Sequence, residues 1–299
     1  MMSTWPTVSV VTPARNAERA LPRLLTSLAK QTYPRELVQI IVVDNDSTDG
    51  TWDVIRAHPD VLGLRETRYH TPGAARNAGL RAARGEVIAM IDADCWADAD
   101  WLRNGVRYLL EWGFDRVAGQ VRFLASLRPN IHEVFDSAVN FQQREFVAQR
   151  WSGTGNLFLR RTLLEEVGLL DPTLKSAEDY EFGLRATAAG KSLGYCADAV
   201  VYHHTRKCFV ALFRKFLRTG YGCGQVFRKY GYFATSAFFR KANYRPLFGT
   251  WRDFPQGDAL SPRMRWQVDL LWNAMRVASN LGNFAGYCDL LAVGRERRT

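Results

Sequence analysis

Val87-Ile88-Ala89-Met90-Ile91-Asp92-Ala93-Asp94 is the stretch on which the fold turns. The apolar run reads as a buried strand. Two acids follow at i and i+2, and on a regular strand alternate side chains point the same way. At a strand's C-terminal end two such carboxylates can converge on one hard cation, and Mg²⁺ and Mn²⁺ suit oxygen ligands shared between carboxylates and phosphates. Acidic pairs at strand ends are usually solvated turns, so the meaning of an isolated D-x-D depends on what the rest of the chain supplies.

Upstream, strands and helices alternate. Thr7 to Thr12 reads as a strand closed by Pro13, and Leu21, Leu24, Leu25 and Leu28 recur at helical spacing. Val38 to Val43 is a second strand ending at Asp44, and Ser47 or Thr48 is placed to cap the helix after it. Val61 to Leu64 is a third short strand, and Gly73 to Arg84 an Ala-rich helix that ends at Gly85. Alternation of this kind implies βαβ units and a parallel sheet, whose ligands gather at the carboxyl ends of the strands, where Pro13, Asp44 and Asp92 stand.

The chain has 299 residues with 47% hydrophobic content, enough for one large α/β domain with an appendage. Its +10 formal charge is concentrated: residues 201–299 carry 17 Lys/Arg against 5 Asp/Glu. That marks a regional partner rather than a general solubility device. Five cysteines without a CxxC pair argue against a disulfide framework or zinc cluster and for a reducing compartment. Met1 to Pro6 lacks a signal-peptide pattern, and no apolar run of about 18 residues exists, the nearest being Leu281 to Val293. A cytoplasmic location follows as the expectation.

Four segments fall in order: Val11-Thr12-Pro13-Ala14-Arg15-Asn16; Ile41 to Asp49, after Gln31-Thr32-Tyr33-Pro34; Ala75-Arg76-Asn77-Ala78-Gly79 with Asp92-Ala93-Asp94; and Gly153-Thr154-Gly155-Asn156 with Glu178-Asp179-Tyr180-Glu181 and Arg185. Together they resemble family 2 glycosyltransferases, inverting metal-dependent nucleotide-sugar enzymes of the GT-A fold. The resemblance covers about residues 5–205 and rests on order and spacing. It implies an α/β, Rossmann-like, mixed and mostly parallel sheet flanked by helices. Residues 1–100 would form a nucleotide-binding half, 101–205 an acceptor-binding half, and 206–299 a basic, mainly helical extension.

The resemblance also implies roles. Pro13, Arg15 and Asn16 would form the loop under the nucleobase and ribose. Asp44 would accept a hydrogen bond from uracil N3–H, which points to a UDP-sugar. Arg76 would lie near the base and diphosphate, with Asp92 and Ala93 beside the ribose and Asp94 on the metal. Ala14 and Ala17 stand where relatives commonly carry an aromatic and an acidic residue, so no stacking on the base is inferred.

Asp179 would be the catalytic base, since inverting transfer needs one carboxylate to take the acceptor hydroxyl's proton. Glu178 is the alternative, and both acids read equally as the start of a helix over Tyr180–Ala189. His203 would be a further metal ligand, which suits Mn²⁺ slightly better than Mg²⁺; on its own it reads as a buried hydrogen-bonding residue. Gly153, Thr154, Gly155 and Asn156 would lie near donor sugar and acceptor, and Trp151 either stacks on a sugar or packs in the core.

Two motifs are decoys. Asp92 to Asp100 spaces acids like a calcium loop, but Ala97 occupies the glycine position and Arg103 the final glutamate position. Cys95 has no histidine placed by sequence to activate it.

In the basic third, Phe209, Leu212, Phe213, Phe216 and Leu217 share a helical face, with Lys207, Arg214 and Arg218 on another. This reads either as a helix on an anionic membrane or as an apolar face packed on the catalytic domain. Phe227 to Tyr230, Phe238 to Lys241 and Trp251-Arg252 interleave aromatic and basic residues, which suits a headgroup interface or a lipid-diphosphate acceptor; nucleic acid is the disfavoured partner. Arg265-Trp266 lacks the Gln of a processive synthase's Q-x-x-R-W, Pro262 standing there. The expectation is non-processive transfer of a hexose-type sugar to a glycan or lipid-linked acceptor. A nucleotidyltransferase and a non-catalytic nucleotide-sugar or lipid-binding module are the alternatives. No oligomeric state is implied.

Overall fold

The computed structural model describes residues 5–231 and 261–289. By internal contacts the chain divides into two units. The first comprises Met1–Leu124, Phe141–Thr173 and Glu178–His204; the second comprises Ala125–Asn140, Leu174–Ala177 and Thr205–Thr299. The second unit's longest segment begins at Thr205. The two shorter segments that join it carry no charge shift to mark them.

The first unit is built on β1 (Val8–Ala14), α1 (Leu21–Ala29), β2 (Val38–Asp44), α2 (Thr51–Arg56), β3 (Val61–Arg65), α3 (Pro72–Ala82), β4 (Val87–Ile91), β5 (Cys95–Ala97), α4 (Trp101–Glu111) and β6 (Arg116–Leu124). After α5 (Ile131–Val139), which belongs to the second unit, come α6 (Gln143–Ala148), β7 (Asn156–Arg160), α7 (Arg161–Val167), α8 (Glu178–Ala188) and β8 (Leu193–His204). The eight strands form one sheet in the order β3-β2-β1-β4-β7-β6-β8-β5. β3, β2, β1 and β4 are mutually parallel, β7 runs against β4 and β6, β8 is parallel to β6, and β5 is antiparallel to β8.

Strand alternation explains why the apolar runs are continuous. Val10, Val42 and Ala89 join one core with Leu21, Leu24, Trp101 and Leu102. Their neighbours Val11, Val43 and Met90 join the opposite core with Ala75, Leu80 and Phe182. The chain leaves β1 toward β2 on one side and reaches β4 on the other, so the strand order reverses beside β1. That is where an open α/β sheet leaves a crevice at its carboxyl ends.

Two local expectations are corrected. Pro13 does not close β1, which pairs on to Pro13↔Val43 and Ala14↔Asp44. Its pairing with β4 has already ended at Val11↔Met90, leaving an edge-like position where proline's missing N–H is tolerated. Ser47 and Thr48 do not cap α2. They bind Asn16 across the crevice, while Asp49 accepts the Thr51 N–H at 3.0 Å.

The second unit packs α5 with α9 (Phe209–Tyr230) and α10 (Pro262–Tyr287) around Phe135, Leu212, Val268, Leu271 and Met275. α9 and α10 meet backbone to backbone. A Cβ on Gly220 or Gly224 would strike the carbonyls of Ser279 and Asn283, and one on Gly282 or Gly286 those of Leu217 and Tyr221. Small residues four apart on both helices allow this approach. The α9 face expected on a membrane is therefore largely used up: Leu212 is fully buried and Phe213 and Phe216 pack on this core. Phe209, Val210 and Leu217 of α9 stay exposed, and α10 adds Trp266, Leu270, Val277, Leu281 and Phe284, which are 45–66% exposed. No helix among the described residues is long and apolar enough to cross a membrane. Phe238 to Lys241 and Trp251-Arg252 lie outside the described residues.

Candidate active site

Three strand ends meet at the crevice. After β1, Asn16 adopts a left-handed backbone (φ 50°), which asparagine tolerates. Its N–H is held by Ser47 Oγ at 2.9 Å, and its Oδ1 accepts the Thr48 N–H at 2.9 Å. Pro13 is half-buried and Arg15 exposed, Arg15 reaching the His70 carbonyl at 3.4 Å. At the end of β2, Asp44 is fully buried. Its two carboxylate oxygens accept from the Ser47 N–H at 3.1 Å and from Arg65 Nε at 3.2 Å.

At the end of β4 a turn closes from Cys95 N–H to the Asp92 carbonyl, 3.1 Å. The turn replaces the strand pleat, so Asp92 and Asp94 do not share a direction. Arg76, projecting from α3 and 6% exposed in its side chain, donates to Asp92 Oδ1 at 2.6 Å and to Glu178 Oε1 at 2.5 Å. Ala93 is buried between the two acids.

α8 begins at Glu178, so Glu178 and Asp179 stand in its first turn, the positive end of the helix. Glu178 is committed to Arg76. Asp179 Oδ1 accepts the Tyr180 N–H at 2.8 Å. Burial, with the Glu178 charge adding and Arg76 opposing, pushes the Asp179 carboxyl up to about 7.

The segment before β7 lies against these acids. Gln143 holds Gly153 from both sides, accepting its N–H at 2.9 Å and donating to its carbonyl at 3.0 Å. A Cβ on Gly153 or Gly155 would stand 2.9 Å from the Phe141 ring, and one on Gly155 also 2.8 Å from Asp92 Oδ2. The two glycines thus let Phe141 and Asp92 close on the backbone, within reach of Asp179. Thr154 is buried.

Asn156 is turned away from the crevice. Its Oδ1 accepts from Trp101 Nε1 at 2.8 Å, and its Nδ2 donates to the carbonyls of Gln120 and Ala199 at 2.9 and 2.8 Å. That amide braces the irregularity where the β6–β8 register jumps between Gly119 and Gln120. Trp151 is stacked on Phe146, ring centres 4.0 Å apart, and meets Tyr180 edge-on. Phe141 and Gln143 carry no sequence signal; only their placement against the two glycines reveals them.

β5 pairs with β8 so that Cys95 lies opposite His203. This brings Asp94 Oδ2 to 3.2 Å from His203 Nε2. His203 Nδ1 faces the His204 carbonyl and so carries the hydrogen there, which leaves Nε2 a lone pair against a carboxylate. Two acceptors facing each other are reconciled by a proton on Nε2 or by a cation. One oxygen of Asp94, a ring nitrogen of His203 and Cys95 Sγ all lie within 4.8 Å of one another. An oxygen–nitrogen pair fits Mn²⁺ or Mg²⁺, and the buried thiol adjoins it. The nearness of His203 to Cys95 left no local trace in sequence, because the β5–β8 pairing spans about a hundred residues.

The family model for glycosyl transferase family 2 matches residues 9–160, and that for glycosyl transferase family group 2 matches 87–285. Glycosyltransferase AglE of Haloferax volcanii is 36% identical over 231 residues, 76% of either chain. The Staphylococcus aureus poly(ribitol-phosphate) beta-N-acetylglucosaminyltransferase TarS is 26% identical over 206 residues and much longer, this chain matching 35% of it. Among solved structures, mannosyltransferase PcManGT from Pyrobaculum calidifontis, in complex with GDP-Man and Mn²⁺, superposes with a TM-score of 0.66 at 20% identity, covering 96% of this chain and 89% of that one. S. aureus TarS 1–349 with UDP-GlcNAc gives 0.55 at 19%, covering 93% and 91%. The mixed sheet with flanking helices and these neighbours bear out the GT-A fold.

Proposed function

Because the chain belongs to glycosyl transferase family 2, we propose that it moves a hexose-type sugar from a UDP-sugar to a hydroxyl of a glycan or lipid-linked acceptor, one sugar per encounter, with inversion. The observation that carries this is the division between adjacent acids: Glu178 is paired with Arg76, while Asp179, beside Gly153, is pushed up to about 7 by burial and the Glu178 charge. A base matched to neutral pH takes the acceptor hydroxyl's proton as the oxygen attacks the anomeric carbon and the bond to the diphosphate breaks. One carboxylate acting in a single displacement inverts the centre.

Asp94 and His203 are the residues that would hold the divalent cation, Mn²⁺ or Mg²⁺. The bound metal supplies Lewis-acid neutralisation of the departing diphosphate. Asp92 and Arg76 brace the crevice beside it, and Pro13, Arg15 and Asn16 form its nucleoside side. A carboxylate at the end of β2, Asp44, supports a uracil N3–H partner, with Arg65 the group that must make room for it. The second unit's positive charge and the apolar face of α10 support attachment to an anionic membrane surface, on its cytoplasmic side.

A panel of UDP- and GDP-sugars, scored by nucleoside diphosphate release with Mn²⁺, with Mg²⁺ and with EDTA, tests the reading. Release from UDP-sugars that requires metal and acceptor is expected. Turnover of GDP-sugars alone overturns the role of Asp44.

A further inference from the structure

We propose that the second unit carries a binding site for a phosphate group, formed by Lys175, Arg214 and Arg218 around a cavity walled by Leu217 and Tyr221. The cavity measures about 290 Å³. Arg214, Leu217, Arg218 and Tyr221 recur at i, i+3, i+4 and i+7, so α9 presents them on one face. Lys175 comes from the Leu174–Ala177 segment of the same unit, which is fixed against that face. Gly222 leaves room for the Ser176 carbonyl, Lys175 N–H is held by Gln225 Oε1 at 2.9 Å, and Arg218 Nη1 donates to Ser176 Oγ at 3.3 Å.

Among the described residues none of the three cations makes an ion pair. Three like charges gathered around one concavity repel, and an anion placed between them removes the repulsion. Behind this face, burial, with Arg206 adding, Asp136 opposing and Arg218 adding, pushes the Lys215 ammonium down to about 7. Two guanidinium forks match the paired oxygens of a phosphate better than a single carboxylate needs. The Tyr221 hydroxyl is given to Asp289, so its ring and Leu217 offer an apolar wall beside the charges. Charges against an apolar wall fit the phosphate of an amphipathic molecule, and equally a free phosphate or pyrophosphate. As the phosphate of a lipid-linked acceptor it deepens the function proposed above and rests on it; the phosphate site itself does not.

The test uses the full chain, inorganic pyrophosphate by calorimetry, and co-sedimentation with phosphatidylcholine vesicles containing either phosphatidic acid or, charge-matched, phosphatidylglycerol. The variant Lys175→Gln/Arg214→Gln/Arg218→Gln should weaken binding of pyrophosphate or phosphatidic acid by about ten- to a hundredfold. The control Arg56→Gln/Arg81→Gln/Arg161→Gln should bind as the parent does. Arg214→Lys/Arg218→Lys, which keeps the charge and loses the forks, should fall between. Loss confined to phosphatidic acid vesicles identifies a lipid source, and loss confined to pyrophosphate a soluble one. Parent-level binding by the triple variant, or no binding of either probe by the parent, overturns the site. None of these readouts requires sugar transfer, so a chain that binds phosphate and releases no UDP rejects the proposed function and leaves the site standing.

Discussion

Arg76 Nη1 lies 2.5 Å from Glu178 Oε1, and both side chains are 6% exposed. The pair ties the start of α8 to α3, and through its other nitrogen Arg76 also holds Asp92. Replacing Arg76 with Met leaves two carboxylates without their cation. We expect a loss of about 3–5 kcal/mol in urea unfolding, the range for a buried pair with one partner removed. Glu178→Gln, which retains a hydrogen-bond acceptor, should cost less. Equal losses for both would show that the ion pair is not what holds the two helices.

Asp179 should set the acid limb of the pH–rate profile. As a base it works ionised, so kcat/KM should fall about tenfold per unit of pH below 7. Asp179→Asn should bind the donor as before and lose transfer. Transfer at the parent rate would reject the assignment.

The same carboxyl has a stability signature of fixed sign. Between its ordinary value of 3.8 and about 7 the folded chain retains a proton that the unfolded chain has released. Stability therefore declines as pH rises across that window and stays lower above it. Asp179→Asn removes the decline, so its melting temperature should exceed the parent's at pH 8 and approach it at pH 4.

For the Asp94–His203 pair, EDTA should abolish donor binding and Mn²⁺ restore it. Asp94→Ala should not be rescued by metal, and His203→Ala should need a higher metal concentration for half-saturation. Titrating Mn²⁺ against donor binding, and by paramagnetic relaxation without donor, measures both effects. Parent-like metal affinity in Asp94→Ala would place the cation elsewhere.

Asn156 separates framework from substrate contact. Its amide serves Trp101, Gln120 and Ala199 inside the sheet. Asn156→Ala should destabilise the fold by about 1–3 kcal/mol, the cost of leaving a buried polar partner unsatisfied. The folded fraction should keep the parent's donor KM. A raised KM with unchanged stability would instead return Asn156 to the sugar site.

The α10 face gives a further prediction. Trp266→Ser/Leu270→Ser should reduce salt-sensitive sedimentation with anionic liposomes, whereas Phe213→Ser, within the second unit's core, should reduce stability first.

Much of the parallel part of the sheet was legible in sequence, for a local reason. Ile40 to Val43 and Val87 to Ile91 are uninterrupted apolar runs, and their short length and β-branched content between turn residues read as strands covered on both faces. Asp44 and Asp92 mark the ends of those runs, so their position in the crevice followed from the strands themselves. Capping was less legible. Ser47 and Thr48 are good cap residues, yet Asn16 competes for them from another loop, and a contact of that kind leaves no local trace. The α9 stripe shows the same limit: periodicity revealed an apolar face and could not say that α5 and α10 cover it.

By itself the sequence determined the alternation of strands and helices, the acids at the strand ends, and through their order the family. These depend on spacing along the chain, and periodicity is written there. Only the tertiary structure decided that Arg76 pairs with Glu178, and that burial beside the Glu178 charge pushes the Asp179 carboxyl up. It alone turned Asp92 toward Arg76 and set His203 beside Cys95 as well as Asp94. Each of these is a through-space electrostatic relation between residues far apart in sequence. Distance and burial set its strength, and neither exists until the chain has folded.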